Sequence, residues 1–434
     1  MRSVEDHLTL VTAAAVAPRP VRVAISEAQG LMCAEEVVTE RPMPGFDQVA
    51  VDGYAVRAVD VGLAGVEAPA DLEEFDAGGV ELVDLTAGEP MIVSMPVVGQ
   101  VEPGARTPTR LQPRQAVRVE TGAPMPTLAD AVVPVRWTDG GESKVKIGHG
   151  VESGDYVRRI GDDVQPGDVA VRAGSIIGPA QVGLLAAVGR ARVLVHPRPR
   201  LSVISIGSEL VDIDRSPGPG QVFDVNSYAI AAAARDAGAD VNRVGIAERD
   251  SSRMREVVEA QLIRSEIVVI CGGLGGEAGR AVVDALSDLG DLEVVRVAMH
   301  PGSVQGFGRL GRDEVPTFLL PANPVSALVS FEVMVRPLIR IALGKRQPMR
   351  RVVTARTIGP IASAKGRKGY LRGQLMREER TGEYLVQVLG ASPTGSSHLL
   401  AELAEANCLI IVEPDVEELG IGDEVEVAFL AQRG

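Results

Sequence analysis

The sequence predicts an α/β protein with β-rich accessory domains, and three observations carry that expectation. From Pro179 to Leu343, short β-branched runs alternate with helical segments, the pattern of a parallel sheet with right-handed crossovers. Between Asp71 and Val135, valine-rich runs such as Met91 to Val98 and Ala116 to Thr121 are separated by Gly/Pro turns, which indicates an all-β insertion. After a basic, proline-bearing linker at Gly344 to Arg351, the segments Val352 to Ile358, Tyr384 to Leu389, Cys408 to Val412 and Glu424 to Leu430 alternate as strands of a C-terminal β-barrel or sandwich.

The elements follow in order. Val4, Leu8, Val11 and Ala15 share one helical face with Ser3 as the cap, so Val4 to Ala17 reads as a core-facing helix. Ser26 to Glu35 reads as a second helix, followed by the short strand Val37-Val38-Thr39. Asp52-Gly53-Tyr54-Ala55 reads as a turn that places a carboxylate and a phenol beside an apolar strand. Trp137 to Val151 reads as the return path out of the β insertion, and Arg158-Arg159 beside Asp162-Asp163 as an exposed ion-pair cluster. In the central region the expected strands are Val193 to Val195, Leu201 to Ile206, Val241 to Ile246, Glu266 to Cys271, Glu293 to Val297 and Phe318 to Leu320. The expected helices are Val182 to Val188, Ser227 to Ala237 with Asn226 as cap, Ser251 to Ser265, Ala278 to Leu289 and Val325 to Leu343.

Composition excludes several functions. The 44 basic and 58 acidic residues give a net charge of -14, which argues against nucleic acid and anionic membrane as partners. Cys33, Cys271 and Cys408 form no CxxC pair, so neither a zinc knuckle nor a disulfide framework is expected. No run reaches ~18 uninterrupted apolar residues and the first residues lack a signal pattern, so the expected location is the cytoplasm, without membrane insertion.

Three loops leave the same edge of the expected sheet: Gly207 to Glu209, Gly272 to Gly276 and Pro321 to Pro324. Glycine lets backbone N–H groups approach a ligand, and the helix after each loop aims its positive end there, which suits a phosphate-bearing ligand. The other motifs are PGFD…VDGYAVR from Pro44, TGAPMP…ADAVV from Thr121, RRIGDDV from Arg158, SIGSEL…GQVFDVN from Ser205, PGSVQGFGRL from Pro301, LPANPVS from Leu320 and LRGQL…GSSH from Leu371.

Together these motifs resemble, in order from Pro44 to His398, the molybdopterin molybdenumtransferase family, whose members are the bacterial MoeA proteins and the E domain of gephyrin. The resemblance implies an elongated homodimer of four-subdomain protomers with a parallel α/β (MogA-like) central domain. Its divisions would be 1–46 plus 140–178, 47–139, 179–345 and 346–434. The implied reaction inserts molybdate into adenylylated molybdopterin, with Mg²⁺, and releases AMP. Carried over position by position, the catalytic carboxylates would be Asp52, Asp162 and Asp224, with Asp162 and Asp224 holding the metal. The cofactor would be bound by Gly207, Gly272, Gly273, His300, Ser303, Asn323, Arg372 and Ser397.

The departures from the family pattern cluster at one place. Where members carry a lysine-bearing KPGKP stretch that binds molybdate and phosphate, this chain has His300-Pro301-Gly302-Ser303-Val304. Ser208 replaces an acidic residue, Gly279 an aspartate and Ala322 a glycine. Two missing cations, each worth ~1.5–3 kcal/mol beside a desolvated oxyanion, point to a weakened molybdate site, for which Arg280 and Arg309 are candidate substitutes. The reading that follows is a gephyrin-like homodimeric scaffold that docks a short peptide of a cytoskeletal (FtsZ- or tubulin-like) or membrane partner at Glu5, Leu8 and Pro414. The alternative is an active molybdopterin molybdenumtransferase.

Overall fold

The computed structural model describes residues 1–62, 93–106, 109–247, 251–274, 276–390 and 400–430. The chain divides into two compact units, one of residues Val23–Val193 and one of Met1–Arg22 with Leu194–Gly434.

The second unit is built on a six-stranded sheet. Its order is Asp240–Ala247, Arg200–Ile206, Ile267–Cys271, Val315–Leu320, Val304–Leu310 and Gly290–Arg296. The first four strands run parallel, but the fifth, Val304–Leu310, is antiparallel to both of its neighbours, so the sheet is mixed rather than wholly parallel. Both faces are covered. Val203, Val269 and Phe318 belong to one core cluster, and Ile204, Ile270 and Leu319 to the other. That double burial is why these strands read as continuous apolar runs.

Strand Val304–Leu310 escaped the sequence reading because two of its seven residues are glycine, a poor strand former. At Gly308 a Cβ would run into the backbone of Asp291 and Leu292 in the neighbouring strand, so close pairing requires glycine there.

The N-terminal helix is Val4–Thr12, capped by Ser3, whose hydroxyl accepts from the Asp6 N–H at 3.0 Å. It stops short of Ala17, and its Val4 and Val11 join the core of the α/β sheet together with Val329 and Phe331. The long helix that begins at Pro324 is continuous to Ala342 but passes through a π-helical turn at Phe331–Val335.

The C-terminal strands close into a five-stranded barrel: Val352–Thr357, Lys368–Arg377, Tyr384–Val388, Cys408–Val412 and Glu424–Phe429. Closure comes from Lys368–Arg377, which pairs with both Tyr384–Val388 and Cys408–Val412 and was not expected from the sequence. Val386, Ile410 and Val427 fill its interior.

The unit Val23–Val193 contains a five-stranded sheet in the order Ala131–Pro134, Gly53–Val56, Ala116–Val119, Val93–Val101 and Lys144–Ile147. Two expectations change here. Trp137 to Val151 is not a plain return path, because Lys144–Ile147 pairs with Val93–Pro96 and completes the sheet. Ser26 to Glu35 is not a helix. A single 3₁₀ turn at Ile25–Glu27 leads into Met32–Cys33, and the N–H groups of Gly30 and Cys33 bond the carbonyls of Ile177 and Ser175, each at 2.8 Å. Those partners lie far along the chain, so propensity alone could not reveal them.

Candidate active site

In the unit Val23–Val193, Asp52 and Asp162 are both exposed. Asp52 stands immediately before the strand Gly53–Val56, and its Oδ1 accepts both the N–H and the hydroxyl of Thr121 at 2.7 Å. The DGYA and TGAPMP motifs are thereby joined at one carboxylate, whose other oxygen makes no hydrogen bond among the described residues. Tyr54 points the other way. It is 1% exposed, donates to the Gly141 carbonyl at 3.1 Å and serves as core.

Asp162 closes a tight turn by accepting the Arg159 N–H at 2.5 Å through Oδ2. Asp47, a residue the sequence reading passed over, anchors the same turn. Its Oδ1 accepts the Ile160 N–H at 2.8 Å and its Oδ2 lies 3.5 Å from the Arg159 guanidinium. The Arg/Asp cluster is therefore a built loop rather than a set of loose surface pairs.

In the other unit, the adjacent parallel strands Arg200–Ile206, Ile267–Cys271 and Val315–Leu320 end together, so Gly207, Gly272 and the Pro321–Pro324 loop meet at one sheet edge. The Gly272 N–H bonds the Leu320 carbonyl at 3.0 Å. Gly272 has φ +94°, and a Cβ there would collide with the Ile206 carbonyl, so the fold itself demands this glycine. Asn323 caps the helix Pro324–Ser330, accepting the Ser326 N–H at 3.0 Å.

The carboxylate of Asp224, expected as a metal ligand, is engaged within the fold. It is 1% exposed, Oδ1 accepts from the Ser205 hydroxyl at 2.7 Å and the Ser227 N–H at 3.1 Å, and Oδ2 accepts the Ser227 hydroxyl at 2.5 Å. Asp224 thus caps the helix Asn226–Ala237, the role expected of Asn226. Asn226 instead donates its side-chain amide to the Ala322 carbonyl at 2.7 Å and ties the GQVFDVN segment to the LPANP loop. Arg243 completes the surroundings, reaching the Ser227 hydroxyl and Asp212 at 3.2 Å and lying 4.0 Å over the Tyr228 ring.

The His300–Ser303 loop lies at the same edge, since the strand it enters, Val304–Leu310, runs antiparallel to Val315–Leu320 with Gly306 opposite Leu319. Burial, and secondarily the charge of Arg367, hold His300 below the ordinary imidazole range, so it is neutral near pH 7 and supplies no cation. Arg309 is no substitute. It sits at the opposite end of its strand, paired across to Pro316 and 3.6 Å from Glu314. Arg280 is exposed on the helix Gly276–Leu286.

Arg372 is 6% exposed and pairs with Glu402 at 2.9 Å. Ser397 lies outside the described residues. Glu5 and Pro414 are brought together through Lys368, which lies 3.0 Å from both Glu5 and Glu413. Leu8 is half-buried against the core.

Comparisons with known proteins bear on the whole chain. Three family models match in succession: the MoeA N-terminal region (domain I and II) over residues 2–189, a "probable molybdopterin binding domain" over 202–341, and the MoeA C-terminal region (domain IV) over 354–430. The chain is 68% identical over 438 residues to molybdopterin molybdenumtransferase 1 of Mycobacterium tuberculosis, covering 100% of both proteins. It is 37% identical over 433 residues to molybdopterin molybdenumtransferase 2 of the same species, covering 98% of this chain and 99% of that one. The crystal structure of a molybdopterin biosynthesis MoeA protein from Pyrococcus horikoshii superposes with a TM-score of 0.77 at 28% identity, covering 98% of each chain. No helix among the described residues is long and apolar enough to cross a membrane. On the matching domain order and the full-length identity, the chain belongs to the molybdopterin molybdenumtransferase (MoeA) family.

Proposed function

We propose that this protein is a molybdopterin molybdenumtransferase that inserts molybdate into adenylylated molybdopterin and releases AMP. The observation that carries the reading is the 68% identity, across the full length of both chains, to a protein named for that activity. The substitutions at His300 and Ser303 then modify the site of an enzyme rather than mark a chain that has lost its chemistry. The scaffold reading gains no support from the comparisons, and in the structure the Glu5 carboxylate is engaged by Lys368 while Leu8 packs against the core. A homodimer remains part of the proposal, on the family resemblance.

The glycine loops at Gly207 and Gly272 present backbone at the carboxyl edge of the sheet, where a phosphate-bearing substrate would lie. Mg²⁺ is ordinarily held by one or two carboxylates and substrate phosphates. Asp162 fits that role, being exposed with one oxygen free among the described residues, as does Asp52. Asp224 does not fit it. Among the described residues no cluster of three His, Cys, Asp or Glu is placed to hold a metal ion. When bound, the ion neutralises phosphate charge. Asp52, fixed by Thr121, orients whatever meets its free oxygen, and Asp224 keeps the Asn226 helix and its loop in place. Incubating the purified chain with adenylylated molybdopterin, Mg²⁺ and molybdate and following AMP tests the reading. AMP release that depends on molybdate supports it, and inertness of a folded preparation rejects it.

A further inference from the structure

A cavity of about 500 Å³ opens at the amino edge of the central sheet, the edge opposite the glycine loops. It lies where Arg200–Ile206 and Asp240–Ala247 begin and where the helix Asn226–Ala237 ends. Nothing in the candidate active site uses it. Arg198, Arg200 and Arg235 line it against Asp240 and Glu266, a surplus of one positive charge in a chain of net charge -14.

The carboxylate of Glu266 is not open to a ligand. Its Oε1 and Oε2 lie 3.1 and 3.2 Å from Arg200 Nε, and Oε2 also accepts the Arg200 N–H at 2.7 Å. Arg198 and Arg235 are the reverse case, since neither side chain has an ion pair or hydrogen bond among the described residues. Arg235 stands in the last helical turn, where the carbonyl end favours a cation. That explains one charge, but not its convergence with Arg198 on a shared cavity.

The neighbouring charges add to the surplus. Asp236 is already shared by Arg336 and Arg350, at 3.5 and 3.1 Å. The same two arginines take Glu332, at 3.6 and 2.9 Å. Close by in the chain, Arg340 and Lys345 have no acidic partner among the described residues, and Arg340 Nε is buried without a hydrogen bond. Leu343, between them, packs at Gly238, where the Asn226–Ala237 helix ends. The end of the Asn226–Ala237 helix is thus flanked by more basic than acidic side chains.

We propose that this cavity binds a small phosphate monoester, with the phosphate on Arg198 and Arg235 and an organic body against Pro18 and Pro197. Two unpaired guanidinium forks match the several acceptor oxygens of a phosphate, whereas a carboxylate is satisfied by one. The volume falls in the range of sites for whole organic molecules, roughly 300–1,000 Å³, so a bare ion would leave it mostly empty. The site is independent of the molybdenum chemistry and does not rest on the proposed function.

The test is calorimetric titration of phenyl phosphate, inorganic phosphate and benzoate into the full chain at low salt. The comparison proteins are Arg198→Ala/Arg235→Ala and, as a control in the other unit, Lys144→Ala, an exposed strand residue. Because both arginines are exposed, the double variant should keep its fold, which its thermal melt checks. We expect phenyl phosphate to bind at least about tenfold more tightly than the other two probes, and the double variant to lose at least about tenfold, with Lys144→Ala unchanged. Absence of phenyl phosphate binding, equal binding by the double variant, or equal binding of benzoate would each overturn the assignment.

Discussion

Thr121 gives both its backbone N–H and its hydroxyl to Asp52 Oδ1, each at 2.7 Å, and so fixes the direction in which that exposed carboxylate presents its second oxygen. Replacing Thr121 by Val keeps the shape and the backbone bond but deletes the hydroxyl. The expected cost in stability is about 1 kcal/mol, as for one hydrogen bond to a charged group near the surface. If Asp52 acts on substrate, turnover should fall by about tenfold or more while the urea midpoint barely moves. Equal rates in the two proteins would remove Asp52's orientation from the account.

Asp224 makes the opposite prediction. Its three hydrogen bonds from Ser205 and Ser227 are buried, so Asp224→Asn places an amide against donors and leaves groups unpaired. The loss should be about 2–4 kcal/mol in urea unfolding. A variant of wild-type stability with weakened Mg²⁺ affinity would restore the metal-ligand role that the family pattern implies.

Much of this site was legible in the sequence because of how the strands are buried. The runs Leu201 to Ile206, broken by Ser202 and Ser205, and Ile267 to Cys271 are mostly apolar since both sheet faces are covered, and the glycines that follow them mark the carboxyl edge of the sheet. The antiparallel strand Val304–Leu310 was not legible, because Gly306 and Gly308 answer to neighbours in other strands. Nor were the parts played by Asp47, Thr121 and Asn226. Each acts on a partner between 69 and 113 residues away, and local pattern carries no trace of such a pair. The five-stranded barrel was expected as a class, while its closing strand, with two glycines and three charges in ten residues, concealed its own periodicity.

Acid should destabilise the protein through His7. This imidazole is 1% exposed, set edge-on to Phe307, and burial and then the Arg2 guanidinium at 3.3 Å depress its pKa to about 4, against a smaller opposing pull from Glu293. The folded-state value lies below the unfolded one near 6.5, so the unfolded chain takes up the proton first as pH falls. The contribution is fully present above about pH 6.5 and is lost between there and about pH 4, amounting to about 3 kcal/mol at most. Urea midpoints at pH 7 and 4.5 should therefore differ more in the wild type than in His7→Leu.

Gly272→Ala should be severe despite its small size. At φ +94° a side chain is strained, and the new Cβ would strike the Ile206 carbonyl. A loss of on the order of 3 kcal/mol is expected, together with displacement of the loop that the Leu320 carbonyl holds. A thermal midpoint within a degree of wild type would show that the loop does not need this conformation.

Restoring cations to the His300–Ser303 loop should strengthen molybdate binding. His300 is held neutral and Arg309 lies at the far edge of the sheet, so neither stands in for the absent lysines. Each lysine beside a desolvated oxyanion is worth ~1.5–3 kcal/mol, which predicts a tenfold or greater fall in the KM for molybdate in His300→Lys/Ser303→Lys. An unchanged KM would place the oxyanion elsewhere.

The most direct measurement is single-turnover molybdate insertion by the wild-type chain, with adenylylated molybdopterin, Mg²⁺ and molybdate, set beside the double-lysine variant. The account predicts that the wild type releases AMP and forms the molybdenum cofactor, and that the variant does so at lower molybdate concentration. A folded wild type that stays inert while the variant turns over would contradict it, because the substitutions at His300 and Ser303 would then have abolished the reaction.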